Sequence, residues 1–184
     1  MPSSTLLKRL LSVRQQSEAL IAPLEPEDLC LQGMADASPP KWHLAHTTWF
    51  FETFVLQPFL PAHRSADQRW GYLFNSYYEA VGPRQPRPQR GLLSRPPMAE
   101  VNAWRQRVNA SLETLLDGDE DPRWSGLIEL GLQHEQQHQE LLLMDLLDGF
   151  SRQPLEPSYN PKWPPAATAD PASPCQWLFH PGGL

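Results

Sequence analysis

The chain has 184 residues, 40% of them hydrophobic and 10% aromatic, with seven tryptophans and seven phenylalanines. That is enough apolar bulk for one domain with a real core, and too little length for two of ordinary size. A net charge of −6 and a pI near 5.5 exclude the basic face that a nucleic-acid partner would need. Two isolated cysteines, Cys30 and Cys175, make neither a disulfide framework nor a CxxC motif. The amino terminus has no apolar run of signal-peptide length. The strongest apolar run, Leu141 to Leu147, is broken by Asp145 and falls far short of a membrane span. No membrane partner is expected, and the expected location is cytoplasmic.

Four stretches carry the 3.6-residue rhythm of amphipathic helices. The first, from about Thr5 to Ile21, sets Leu6, Leu7, Leu10, Leu11 and Leu20 on or near one face, with Ser3, Ser4 and Thr5 as capping hydroxyls. After a Pro-rich connector, the second begins at Ser38-Pro-Pro, with Ser38 as cap, and runs to about Gln57, where Pro58 should stop it. Its inner stripe is Trp42, Ala45, His46, Trp49, Phe50 and Thr53. A long connection from Phe59 to Pro97 shows no strand alternation, and a connection of that length is often functional.

The third helix, Met98 to about Leu116, spaces Val101, Trp104, Val108, Leu112 and Leu115 as a core stripe. The fourth, about Ser125 to Gly149, carries Leu127, Leu130, His134, His138 and Leu141 along one side, with Gly149 as its stop. Prolines then break all helical period, and the ending, Trp177 to Leu184, turns apolar again. The expected fold is all-α: a four-helix bundle with a long crossover connection and an extended Pro-rich C-terminal tail. The expected division is a metal-binding bundle over 1–152, a linker over 153–175 and the start of a further domain over 176–184.

His134 and His138 stand four apart on a helix, so their side chains leave one face about 6 Å apart and can hold one divalent ion. His46 sits mid-stripe on another helix. Three inward histidines would meet in the core and leave coordination positions open for water or substrate. The alternative is three histidines each satisfied by a separate hydrogen bond. His43 competes for the third position but falls off the inner stripe, which places it at the rim or behind the ligands. His63 and His180 lie in irregular, proline-bounded segments and are not counted.

His134-Glu-Gln-Gln-His138 also matches H-E-x-x-H, in which the glutamate of a zinc protease is the general base. The third ligand that motif needs downstream has no good candidate, since Glu156 lies in the Pro-rich segment. The run Pro83-Arg-Gln-Pro-Arg-Pro-Gln-Arg90, with Arg95 beyond, is either a solvated loop or a stiff clamp for an anionic substrate.

Three segments, Ser38-Pro-Pro-Lys-Trp-His-Leu-Ala-His-Thr47, Leu73-Phe-Asn-Ser-Tyr-Tyr-Glu-Ala-Val-Gly82 and His134-Glu-Gln-Gln-His-Gln-Glu-Leu141, in this order resemble the amino-terminal domain of ergothioneine-biosynthesis sulfoxide synthases, the hercynine oxygenases. That domain is of the DinB-like four-helix kind, and the resemblance runs roughly from Leu6 to Pro161. It implies a mononuclear non-haem iron(II) centre on His46, His134 and His138; three neutral imidazoles by themselves suit zinc or nickel as well. It also implies a thiol substrate (cysteine or γ-glutamylcysteine), trimethylhistidine and O2 as reactants, and Arg87 and Arg90 as holders of the thiol's carboxylates.

Family enzymes continue into a domain resembling formylglycine-generating enzymes, which supplies much of the substrate pocket and a catalytic tyrosine. Gln176 to Leu184 resembles its opening. The expectation is therefore a truncated chain whose missing half comes from a separate chain or a homo-oligomer, or is lost. Two other readings stay open: a metal-dependent DinB-like thiol S-transferase, and a bundle that keeps the fold without activity.

Overall fold

Prolines open the long helices of this chain. The computed structural model describes residues 2–118, 121–163 and 177–182. Its helices are α1 (Pro2–Ile21), α2 (Pro40–Phe51), α3 (Gln57–Phe59), α4 (Trp70–Phe74), α5 (Met98–Leu116) and α6 (Pro122–Ser151). α2 and α6 begin on Pro40 and Pro122, and α5 directly follows Pro97. Proline's fixed φ suits a first turn, and its missing N–H would have found no partner there. Among the described residues there is no strand, and no helix is long and apolar enough to cross a membrane. The all-α expectation holds.

α1 and α2 each pack against both α5 and α6. Trp42, Trp49, Phe50 and Phe51 of α2 meet Trp104, Val108 and Leu112 of α5 and Ile128, Leu132 and Leu142 of α6 in one buried cluster. Full burial of side chains of this kind contributes about 1.5–3 kcal/mol each. The core stripe expected on α5 is buried throughout. Gly131 lets α2 approach α6: a Cβ there would lie 2.5 Å from Phe51 Cε1 and 3.1 Å from Phe50 Cε1.

Several local expectations fail for identifiable reasons. Pro58 does not stop the second helix. A π-helical turn over Glu52–Leu56 shifts the hydrogen bonds by one residue, and the helix passes through Pro58 to Phe59. Ser38 does not cap α2; its N–H donates to Asp145 and its hydroxyl accepts from Arg90. α6 starts at Pro122, capped by Asp121, and runs past Gly149 to Ser151. Gly149 is instead a packing point, since a Cβ there would meet Leu31 Cδ2 at 2.6 Å. Leu11 and Leu130, read as inward, are exposed.

Polar residues fill the inner face of α1 in their place. Arg14 and Ser17 are buried there, and Arg105 of α5 and Glu135 of α6 are buried opposite them. Arg14 Nη1 donates to Glu135 Oε2 (2.9 Å), Ser17 Oγ donates to Glu135 Oε1 (2.7 Å), and Arg105 Nη2 closes on the same Oε1. Thr48 of α2 accepts from both arginines, and Glu18 of α1 pairs with Arg105 at 3.2 Å. Two positive and two negative charges thus tie all four long helices together.

The residues following α6 turn back onto the bundle, where the Tyr159 hydroxyl donates to the Leu20 carbonyl at 2.5 Å. Most of the Pro-rich segment expected over 153–175, including Cys175, lies outside the described residues, as do Gln176 and the last two residues of the segment expected to open a further domain. Trp177, Leu178 and Phe179 are exposed.

Candidate metal centre

α2 is buried on every side, from Pro40 to Phe51, and His46 takes its orientation from two tryptophans of the same helix. Its ring stacks on Trp42 at 4.6 Å, with 11° between the planes, and on Trp49 at 5.5 Å. Its Nδ1 donates to the carbonyl oxygen of Phe74, the last residue of α4, at 2.6 Å. A carbonyl can only accept, so Nδ1 carries the proton and Nε2 keeps a free lone pair. The long connection between α3 and α5 therefore supplies the backbone group that sets the tautomer of His46.

His134 and His138 come from successive turns of α6, with ring centroids 4.6 Å apart. They do not lie mid-core as their stripe suggests. They are half-buried, at the border between the core and a cleft. His46 Nε2 and His134 Nε2 are 3.2 Å apart, and one nitrogen from each of the three rings lies within 4.8 Å of the others. Two nitrogens each about 2.1 Å from one ion, at angles between a right angle and the tetrahedral value, lie about 3.0–3.4 Å from each other. The spacing and the donor set fit a divalent metal.

The electrostatics keep these imidazoles neutral, as coordination of a metal would require. Burial lowers the pKa of His46 well below its ordinary value, and the charges of His134, Arg90 and His43 add to the effect. Burial likewise holds His134 down to about 4. His138 is pushed far down as well, first by burial and then by its imidazole neighbours and Arg90.

Arg87 and Arg90, on one 3-10 turn spanning Arg87–Leu92, line the same cleft of about 380 Å³ as the three histidines. Arg90 is buried with its Cζ 3.4 Å from the centre of the Trp42 ring. It donates to the Ser38 and Ser76 hydroxyls; its Nε has no partner, and no carboxylate of the described residues forms an ion pair with it. Burial lowers its pKa to about 10, so it remains a cation at neutral pH. Arg87 Nη1 donates to the Tyr77 hydroxyl at 2.9 Å, and its Nε is buried without a partner. Arg95 is exposed and donates to the neighbouring Ser94 carbonyl.

A family model of the DinB superfamily matches residues 9–142. The chain belongs to the DinB superfamily. No curated protein matches the chain closely enough to add a named relative. The matched span carries His46, His134, His138, Arg87 and Arg90 together.

The remaining histidines divide clearly. His43 is not one of the three converging rings, nor is it at the rim. It is buried, with Nδ1 2.9 Å from His138 Nδ1 and Nε2 3.2 Å from Asp145 Oδ2. His63 bridges Ser111 and Glu52, away from the cleft. His180 is exposed. Glu135, the general base of the protease motif, faces Arg14 and Arg105. Sequence reasoning missed the Phe74 carbonyl, which left no trace in residue type. It also passed over Asp145, whose signal was a lone charge inside the apolar run of α6.

Proposed function

We propose that this chain is the iron(II)-binding domain of an O2-dependent sulfoxide synthase, which joins the sulfur of cysteine or γ-glutamylcysteine to trimethylhistidine. The observation that supports this reading is the pairing of a three-histidine site with Arg90, a buried cation with which no carboxylate of the described residues forms an ion pair and which faces the same cleft. A desolvated cation without a carboxylate of its own is a receptor for an anion. Arg87 beside it offers a second guanidinium, and together they suit the carboxylates of a small thiol amino acid or dipeptide.

Each part of the cleft then has a task. Arg90 and Arg87 would hold the carboxylates and so direct the thiol end toward His46, His134 and His138. Trp42, sandwiched between Arg90 and His46, forms an apolar wall that excludes water between the two ends of the substrate. Burial keeps the three imidazoles unprotonated, so protons released from the thiol are not captured by the ligands. Bound iron(II) would supply O2 activation and coordination of the thiolate. Overall, the thiol S–H and one imidazole C–H are exchanged for a C–S bond, one oxygen atom of O2 goes to sulfur, and the other leaves as water.

The same ligand set and cationic cleft would also serve a metal-dependent thiol S-transferase, since a metal makes a thiolate available near neutral pH. O2 separates the two. With iron(II), trimethylhistidine and either thiol, the proposal expects O2 uptake matched by a sulfoxide product. Transfer of the thiol to an electrophile without O2, supported by zinc, would replace it with the transferase reading.

A further inference from the structure

His43 shares α2 with His46, yet its ring serves His138 on α6. Its two nitrogens meet two different partners: Nε2 lies 3.2 Å from Asp145 Oδ2, and Nδ1 lies 2.9 Å from His138 Nδ1. Asp145 is held in turn by the backbone N–H of Ser38, which donates to the same Oδ2 at 2.8 Å. His43 is 3% exposed and Asp145 9% exposed, so the His43–Asp145 bond is largely shielded from bulk water.

The proton positions follow from what each group can do. A carboxylate only accepts, so His43 carries its proton on Nε2 and presents a lone pair at Nδ1. That lone pair requires a donor 2.9 Å away, which places the proton of His138 on its Nδ1. His138 Nε2 is then left bare and is the atom free to face the centre shared with His46 and His134. A carboxylate–imidazole pair behind a ligand is a known way to raise ligand basicity and hold the ring in one orientation. Here a second imidazole extends that arm by one ring. His46 reaches the same end by a shorter route, through the Phe74 carbonyl.

We propose that Asp145 and His43 form a relay that fixes the tautomer and ring orientation of His138, which makes His43 a positioning residue for the metal centre rather than a ligand. This rests on the three-histidine reading of the site. It also gives a reason for a charge in the middle of the apolar stretch of α6: Asp145 is the fixed end of the relay. His43→Leu keeps a side chain of similar bulk and removes both hydrogen bonds. His43→Asn keeps an oxygen near the Nδ1 position, able to accept from His138.

The test has two readouts. Imidazole ¹⁵N–¹H correlation spectra of the metal-free protein should show His138 protonated on Nδ1 in the wild type and in His43→Asn, and no longer fixed there in His43→Leu. Cobalt(II) titration, followed by d–d absorption, should then give affinity roughly 10- to 100-fold weaker for His43→Leu, the usual loss for such outer partners, with His43→Asn close to wild type. Two results would overturn the relay: an Nε2-protonated His138 in the wild type, or a folded His43→Leu that binds cobalt as tightly as wild type with the same spectrum. Wild-type protein that binds no cobalt at all would overturn the metal centre and the relay with it, a failure distinct from the other two.

Discussion

Glu135 follows His134 in the chain, and the two side chains leave α6 in different directions, about 100° apart. His134 points to the cleft beside His46, whereas Glu135 is enclosed by Arg14 and Arg105. This splits the H-E-x-x-H pattern into two unrelated jobs. Burial alone would raise the pKa of Glu135, but the two guanidinium charges and the Ser17 hydroxyl hold it down to about 2.

Glu135→Gln should therefore act on stability and not on metal binding. It leaves Arg14 and Arg105 buried with one carboxylate fewer, a loss of roughly 3–5 kcal/mol for a broken buried pair. Urea unfolding of the metal-free protein would measure it, and metal stoichiometry of the folded fraction should stay at the wild-type value. A Glu135→Gln protein of wild-type stability would show that the ionic network contributes nothing.

Gly131→Ala offers a second test of the fold. Alanine is the better helix former by about 1 kcal/mol, so an open helix position would gain stability. At Gly131 the new methyl meets Phe51 and Phe50 inside contact distance, and overpacking of this kind typically costs about 1–3 kcal/mol. The substitution should lower the unfolding midpoint. It should also disturb the site, because the Phe50 ring lies 4.7 Å from that of His134. A raised midpoint would mean that α2 and α6 do not approach so closely.

The long helices were legible because their apolar spacing is regular, as the α5 stripe from Val101 to Leu115 shows. The three converging histidines were legible because His134 and His138 share a helical face and His46 lies between tryptophans. What escaped depends on tertiary contacts. The burial of Arg14, Ser17 and Arg105 has no apolar signal in the sequence, since it depends on Glu135 standing opposite them. Pro58 looks like a stop unless a π-turn is allowed. Gly149 looks like a cap until Leu31 is placed against it. Arg87 and Arg90 were separable from Arg95 only by resemblance, and their shared cleft with the histidines appears only in three dimensions.

The pH response follows from the neutral imidazoles. In the unfolded chain these histidines titrate near 6.5, whereas in the fold burial holds His134 down to about 4 and pushes His46 and His138 well below their ordinary value. Between those values the unfolded state takes up protons that the native state refuses. Stability of the metal-free protein should therefore be full above about pH 6.5 and fall as the pH drops toward 4. Thermal melts across that range, compared with a His46→Ala/His134→Ala/His138→Ala variant, would show it as a slope that the variant largely loses. Equal slopes for the two proteins would contradict the buried, neutral state of the cluster.

Arg90→Gln should separate the two ends of the cleft. A charged hydrogen bond contributes about 1.5–3 kcal/mol, so thiol-substrate affinity should fall by roughly 10- to 100-fold while metal binding persists. Calorimetry with γ-glutamylcysteine on the metal-loaded protein would measure it. Unchanged affinity would remove Arg90 from the substrate site.

The most direct test of the central claim is the metal content of anaerobically purified protein, beside the same triple-alanine variant. About one divalent ion per chain in the wild type, and none in a variant that remains folded, would establish the three-histidine centre. Equal metal in both proteins, or none in either after incubation with iron(II), would contradict it.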